Sequence, residues 1–216
     1  MAEVDIKKSH GGTGTVDRGA YLLFTFVVMG LGWGIAAVNT GISYLALGTD
    51  LVPIITGLIG CLVFVIVLRF LHCAWWLAAL SVLPAVFVLI GSVQYAPEST
   101  LDDRGVRETV RIAADSAAGG SASSHRFTLV GRSGKLKETL DYDGDHPQWE
   151  VGDRIEVVSD PKGVVPLEAA SDVNPDRQLA SLITGVVGWT CITLLAGRRG
   201  FMRRRAGRRP AFEDLD

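Results

Sequence analysis

Three aspartates alternate along the chain at Asp141, Asp143 and Asp145. Calcium loops use this spacing because a hard cation needs several carboxylate oxygens around it. The helix–loop–helix form of such a loop also needs glycine after the third carboxylate and a bidentate glutamate at its last position. This chain has His146 and Gly152 at those places. The sequence therefore favours a hairpin turn here, with weak cation binding as the alternative.

Residues that commonly carry catalysis do not fall into a familiar pattern. The cysteines, Cys61, Cys73 and Cys191, lie in or beside apolar stretches and form no CxxC or Cys/His metal spacing. His125 follows two serines, but the members of a Ser-His-Asp triad meet in space and need not be sequence neighbours. The sequence contains no G-x-S-x-G, H-E-x-x-H or P-loop motif. It predicts no enzyme and no cofactor.

Apolar segments dominate the chain, which is 48% apolar and only 20% charged. A helix that crosses a bilayer needs about 20 apolar residues. The apolar run from 51 to 95 would be about 67 Å long as one helix, more than twice the membrane thickness, so it must turn back near Arg69. The first segment is too long for the apolar core of a cleaved signal peptide, which is the alternative there. The sequence predicts an α-helical bundle of four transmembrane helices at about 21–47, 51–70, 74–95 and 179–196.

Arginine is concentrated in the C-terminal segment, 197–216. The cytoplasmic loops and tails of membrane proteins carry an excess of Lys and Arg, and the N-terminal segment 1–20 also contains three of these residues. We therefore expect both termini in the cytoplasm and the chain in a bacterial plasma membrane. We also expect the tail arginines to contact the headgroups of anionic lipid, and we expect no nucleic-acid partner. These arginines are Arg198, Arg199, Arg203, Arg204, Arg205, Arg208 and Arg209.

The segment 96–178 has the pattern of β-strands. Apolar and polar residues alternate repeatedly, as Phe127 and Leu129 do with Arg126 and Thr128, which is typical of half-buried strands. Ten basic and sixteen acidic residues give this segment a net charge of −6. The sequence therefore predicts a small all-β domain, a barrel or a sandwich, on the extracytoplasmic side.

The end of this segment, residues 151–169, resembles the closing motif of a family of uncharacterised bacterial multi-pass membrane proteins. That family is classified only as a domain of unknown function. Its β-domain opens with a Gly-Val strand and ends with the motif G-[DE]-x-[IV]-x-V-x-x-D-P. The resemblance implies a small extracytoplasmic β-domain and no particular activity. It also implies that the matching residues are turn and strand framework. They are Gly105, Val106, Gly152, Asp153, Ile155, Val157, Asp160 and Pro161.

Small residues repeat at helical spacing in two of the apolar segments. Gly30 and Gly34 form a G-x-x-x-G, and Ser181 and Gly185 repeat the spacing in the last segment. Small residues at this spacing let two membrane helices approach closely. We expect these four residues to pack helices together inside the bundle, with dimerisation as the alternative.

These features predict a membrane protein that displays its β-domain as a binding or interaction module, or as an accessory subunit of the cell envelope. The expected partners are the lipid bilayer and either an envelope protein or a second copy of the chain. A small transporter or channel subunit is the alternative. Transporters usually place ionisable groups within their spans, whereas here Asp50, Arg69 and His72 lie near span ends.

Overall fold

The computed structural model describes residues 18–72, 75–117, 124–143 and 148–206. It contains four helical segments that are long and apolar enough to cross a membrane, and a separate five-stranded antiparallel sheet. The predicted combination of a helical bundle with a small β-domain is confirmed. The helices are α1 (Arg18–Leu45), α2 (Leu51–His72), α3 (Trp75–Leu80), α4 (Val82–Arg104) and α5 (Pro175–Arg205).

The third apolar segment is divided into α3 and α4 at Ser81. Pro84 causes the division, because a proline has no backbone N–H and its ring collides with the carbonyl four residues earlier. The indole Nε1 of Trp189 donates to the Ser81 carbonyl at 3.1 Å. The Ser81 carbonyl thus accepts two bonds, because the Ala85 N–H also donates to it at 3.2 Å.

Two helices are longer than their apolar segments. The helix α4 continues beyond residue 95 to Arg104, and α5 runs from Pro175 to Arg205 instead of ending near 196. The extra turns of α4 are stabilised by packing, since Glu98, Thr100 and Leu101 are all buried. Hydropathy marks the apolar core of a helix and does not mark such turns.

The bundle packs around a stacked aromatic pair. The rings of Phe64 and Trp189 lie 4.2 Å apart between centroids, with an angle of 24° between their planes, and both side chains are fully buried. Gly32 of α1 makes room for them, because a Cβ there would stand 2.9 Å from Phe64 and 3.2 Å from Trp189. Small residues of this kind allow close approach of membrane helices.

The sheet curls into a half-barrel, and its strands lie in the order β3-β2-β1-β4-β5. Its core is formed by the apolar residues that alternate along β1, β2, β3 and β4, with Trp149 packed against them. Strands therefore form where the period-two pattern predicted them. Their bounds are β1 (Val106–Asp115), β2 (Ser124–Gly131), β3 (Gly134–Asp143), β4 (Arg154–Ser159) and β5 (Glu168–Ala169).

Candidate functional site

The β-domain is attached to the helices by an ion pair between a partly buried arginine and a buried aspartate. The Arg104 guanidinium, at the end of α4, donates through Nε and Nη2 to the two carboxylate oxygens of Asp160 at 3.0 and 2.7 Å. The same carboxylate accepts the backbone N–H groups of Lys162, Val164 and Val165 at 3.0 to 3.2 Å. Arg104 and these amides hold the pKa of Asp160 well below its ordinary range. Asp160 thus shapes the loop after β4 and fixes it to α4.

Apolar packing surrounds this ion pair. Leu101 of α4, Val158 of β4 and Val165 form a buried cluster to which Leu47 also contributes. Gly48 has a φ of 83°, and its backbone passes so close to the Val164 carbonyl that a side chain there would collide with it. The sheet therefore rests on the end of the bundle where α1 ends and α2 begins.

A second polar contact lies at the same end of the bundle. Glu98 of α4 is only 3% exposed, and its carboxylate accepts the Asn174 N–H at 2.8 Å and the Gln178 amide at 2.7 Å. The side-chain oxygen of Asn174 in turn accepts the Arg177 N–H at 3.0 Å. Glu98 and Asn174 thus cap α5, whose first amides need acceptors. This buried carboxylate was missed by the sequence reasoning, because it lies in the polar stretch after the third apolar segment.

The alternating aspartates are divided between described and undescribed residues. Asp141 accepts a hydrogen bond from the Arg126 Nε at 3.1 Å across β2 and β3, and both side chains are two-thirds exposed. Asp143 is the last residue of β3, and Asp145 lies outside the described residues. Among the residues that the structure describes, no group of three or more His, Cys, Asp or Glu side chains is arranged to hold a metal ion.

Sequence reasoning also missed a buried histidine–aspartate pair in the sheet. His125 of β2 contacts the Asp115 carboxylate through Nδ1 at 2.7 Å, and both side chains are about nine-tenths buried. The backbone N–H of Ala117, and then His125, lower the pKa of Asp115. The other ring nitrogen, Nε2, has no hydrogen-bond partner among the described residues. In an Asp–His pair of this kind, the aspartate orients the histidine as a general base. Among the described residues, however, no nucleophilic side chain forms a hydrogen bond with Nε2 of His125.

An aromatic cluster connects this histidine to a cleft. His125 stacks on Phe127 at 6.1 Å between centroids, and Trp149 meets Phe127 and Tyr142 edge-on at 6.3 and 6.2 Å. Trp149 also lines a cleft of about 510 Å³ beside β4 and β5. The cleft brings charges of both signs next to an aromatic ring. Its other lining residues are Arg107, Asp153, Arg154, Ile155, Glu156, Ala169, Ala170 and Ser171.

Polar side chains within the bundle form a closed network. The Asn39 amide donates to the Ser92 hydroxyl at 2.8 Å, and its oxygen accepts the Thr56 hydroxyl at 2.7 Å. Ser43 donates to the Ser92 carbonyl at 2.7 Å. Such bonds between helices fix their register. Asn39 therefore packs between helices.

The two small-residue pairs have different surroundings. Ser181 donates to the Phe87 carbonyl at 3.2 Å, and a Cβ on Gly185 would stand 2.7 Å from the Val88 backbone nitrogen. This pair packs α5 against α4, as expected. Gly30 and Gly34, in contrast, are exposed and have open space where a Cβ would stand. The prediction that they pack inside the bundle is wrong, because the spacing identifies a close-packing face without saying which way it points.

The tail arginines extend α5 at the end of the bundle opposite the sheet. Arg198, Arg199 and Arg203 line apolar grooves on either side of α5, and Arg205 is exposed at its last turn. Arg204 lies in the same helix, and Arg208 and Arg209 lie outside the described residues. Within residues 18–72, 75–117, 124–143 and 148–206, the ion pairs involve other residues.

Comparison with profiles of known protein families, with curated proteins and with solved structures finds no match to this chain.

Proposed function

We propose that the chain is an integral membrane protein that crosses the bilayer four times and presents its β-domain outside the cytoplasm as a binding module. The apolar outer surface of the helices supports the membrane assignment, because large side chains such as Leu23, Leu58 and Leu83 are more than half exposed. Contiguous apolar surface on this scale needs a covering such as lipid.

The distribution of arginine supports the orientation. The arginines in the last turns of α5 lie at the end of the bundle opposite the sheet, next to the start of α1, where Tyr21 contacts Phe201. An excess of Lys and Arg marks the cytoplasmic ends of membrane helices. The proposed arrangement therefore has both termini in a bacterial cytoplasm and the sheet on the other side of the plasma membrane.

The observation that carries the binding role is the cleft beside Trp149. Its volume of about 510 Å³ is within the range of ligand sites. It combines one large aromatic side chain with Arg107, Arg154, Asp153 and Glu156. Aromatic and arginine side chains are enriched in protein interfaces. We therefore favour a polar segment of another envelope protein as its occupant.

Site-specific crosslinking in cells tests the binding role. A photoreactive amino acid at Ser171, on the cleft, is expected to give a defined crosslinked product, and the same group at Lys137 on β3 is expected to give none. The double substitution Arg107→Glu and Arg154→Glu should remove the product, whereas Lys135→Glu with Arg132→Glu should leave it. Equal products from both positions would contradict a site at the cleft.

A reporter fusion tests the orientation. A reporter that is active only outside the cytoplasm, inserted after Ser121, is expected to be active, and the same reporter after Ala206 is expected to be inactive. Activity of the second fusion alone would reverse the topology while leaving the four spans in place.

A small transporter or channel subunit is the second candidate, and the polar network around Asn39 favours it. Polar side chains that meet inside a bundle are a feature of solute pathways. The hydrogen bonds of Asn39 and Ser43 join side chains and backbone of α1, α2 and α4 inside the bundle. Ion flux into liposomes that contain the purified chain, lost in Asn39→Leu, would promote this candidate over the binding module.

A further inference from the structure

The last turns of α5 form a groove together with α3. Leu195, Arg198, Met202 and Arg203 of α5 face Trp76 and Leu77 across a cavity of about 490 Å³. We call this cavity the Trp76 groove. Leu77 is fully buried, and the lining apart from the arginines is almost entirely apolar. A groove of this size takes a flexible hydrocarbon chain better than a polar ligand, because polar groups would lose their hydration without finding partners.

Three arginine side chains lie at the mouth of the groove. The Arg199 guanidinium lies over the Trp76 ring, 5.3 Å from its centroid, and such an arrangement favours the charged group electrostatically. Arg198 and Arg203 line the same cavity, and Arg203 is half-buried there. Among the described residues, no carboxylate forms an ion pair with these three arginines. Within the part of the chain that the structure describes, the positive charge at the mouth is therefore not neutralised.

We infer that the Trp76 groove is a binding site for an anionic phospholipid of the cytoplasmic leaflet. Its acyl chain lies along Trp76, Leu195 and Met202, and its phosphate meets Arg199 and Arg203. This inference rests on the proposed function, since it needs the arginine end of the bundle to be at the cytoplasmic face. It goes beyond the general attraction of a basic tail to an anionic surface, because it assigns one lipid to one cavity.

The charge at the groove distinguishes it from its neighbour. A second apolar groove of about 460 Å³ lies between α5 and α1, lined by Tyr21, Leu22, Leu194 and Phe201. Of the described arginines only Arg198 lines it. A neutral lipid suits such a groove, whereas several arginines around one phosphate favour an anionic headgroup. The second groove therefore serves as a control within the same molecule.

Native mass spectrometry of the purified full-length chain in detergent tests the site. Titration with phosphatidylglycerol is expected to give one tightly retained lipid, and phosphatidylcholine with the same acyl chains should be retained at least tenfold more weakly. The double variant Arg199→Gln and Arg203→Gln should lower retention of phosphatidylglycerol at least tenfold. A control with the same loss of charge, Lys135→Gln and Lys137→Gln on β3, should bind like the parent chain.

A second pair of variants fills the grooves without changing the charge. Met202→Trp should fill the Trp76 groove and lower retention of phosphatidylglycerol at least tenfold. Leu194→Trp should fill the other groove and leave the retention of phosphatidylglycerol unchanged. Equal loss in both variants would overturn the assignment to one cavity. Competition by inorganic phosphate as effective as that by the lipid would overturn the role of the acyl chain.

The membrane assignment itself is tested separately. Extraction of cell membranes with alkaline carbonate should leave the chain in the membrane fraction. If carbonate releases it, the proposed function fails. If the chain stays in the membrane but retains phosphatidylglycerol and phosphatidylcholine equally, only the lipid site is overturned.

Discussion

At the scale of single residues, Asp160 joins α4 to the loop after β4. One carboxylate accepts two bonds from Arg104 and three from backbone amides. The Asp-Pro pair was visible in the sequence as the end of a strand. An aspartate that bonds the amides following it is a common turn device, but nothing in the sequence pointed to Arg104, which lies 56 residues away.

Replacement of Asp160 by Asn should destabilise the β-domain by about 3 kcal/mol, because it leaves Arg104 partly buried without its counter-ion. The amides of Lys162, Val164 and Val165 should exchange with deuterium faster in the full-length variant, which is the measurement. As a control, Arg107→Gln should change stability by less than about 0.5 kcal/mol, since that residue belongs to an exposed pair. Unchanged exchange in Asp160→Asn would contradict the role of the ion pair.

The same pair makes stability depend on acid. The lowered pKa of Asp160 means that its stabilising effect is present above its ordinary value of 3.8 and is lost as the pH falls toward the folded-state pKa. The contribution of Asp160 to stability can therefore be tested only below about pH 4.

Glu168 gives the stability a pH dependence of the opposite sign to that of Asp160. Burial, and then the nearby carboxylates of Glu98, Asp172 and Asp50, raise the pKa of Glu168 from 4.5 to about 7. The folded chain therefore binds more protons than the unfolded chain between these values, so the free energy of unfolding should fall as the pH rises from about 4.5 to 7.

Glu168→Gln should remove much of this fall, because the variant has no carboxyl to ionise. Unfolding midpoints of the full-length chain at pH 5 and pH 8 should differ by about half as much as in the parent. The exposed Glu138 of β3 provides the control, and Glu138→Gln should keep the parental difference. If Glu168→Gln also kept the parental difference between the two midpoints, another group would be responsible for the pH dependence between pH 5 and pH 8.

At the scale of the elements, α4 and α5 make the most extensive contact between described helices. A Cβ on Gly91 would stand 2.5 Å from the Leu182 backbone nitrogen, and one on Gly185 would stand 2.8 Å from the Pro84 carbonyl oxygen. Backbone atoms cannot move aside as a flexible side chain can. The contacts at Gly91 and at Gly185 therefore set the distance between α4 and α5.

Gly185→Ala should lower the thermal stability of the chain in detergent by several degrees, because the methyl group must push α4 away. Gly30→Ala and Gly34→Ala should leave it unchanged or raise it slightly, since both sites are open and alanine favours a helix over glycine by about 1 kcal/mol. Destabilisation by Gly30→Ala, measured alongside the oligomeric state, would indicate instead that another helix covers this face of α1.

Hydropathy and period-two alternation predicted which elements the chain forms, and packing decided where they end. Pro97 and Glu98 read as the start of a polar domain, yet α4 continues through both, because Glu98 meets Gln178 and the N-terminus of α5. His125 and Asp115 are ten residues apart and meet only because β1 and β2 pair. Contacts between distant residues of this kind have no local pattern to reveal them.

At the scale of the whole molecule, the β-domain and the helices share a core. Leu101 of α4 and Leu47, in the turn between α1 and α2, cover Val158 and Val165 of the β-domain. Removal of the helices would expose this apolar surface and leave Asp160 without Arg104. A small domain is only marginally stable, so the loss of these contacts should destabilise it substantially.

The segment 105–173 produced alone should therefore be less stable than it is in the whole chain. It should bind a dye that reports exposed apolar surface, and its unfolding midpoint should lie at least about 5 °C below that of the same strands in the intact protein. Hydrogen exchange of β4 amides gives the comparison in the intact chain. Equal protection in both would show that the strands need nothing from the helices.

The helix α5 has a consequence for how the two ends of the molecule influence each other. It is a single helix of 31 residues, about 46 Å long, with no proline after its first residue. Its first turn is held by Glu98 beneath the sheet, and its last turns carry Arg199 and Arg203. Because the helix is continuous, a tilt imposed at the sheet would displace the arginines at the other end. In the proposed topology, the two faces of the membrane are therefore linked mechanically through one helix.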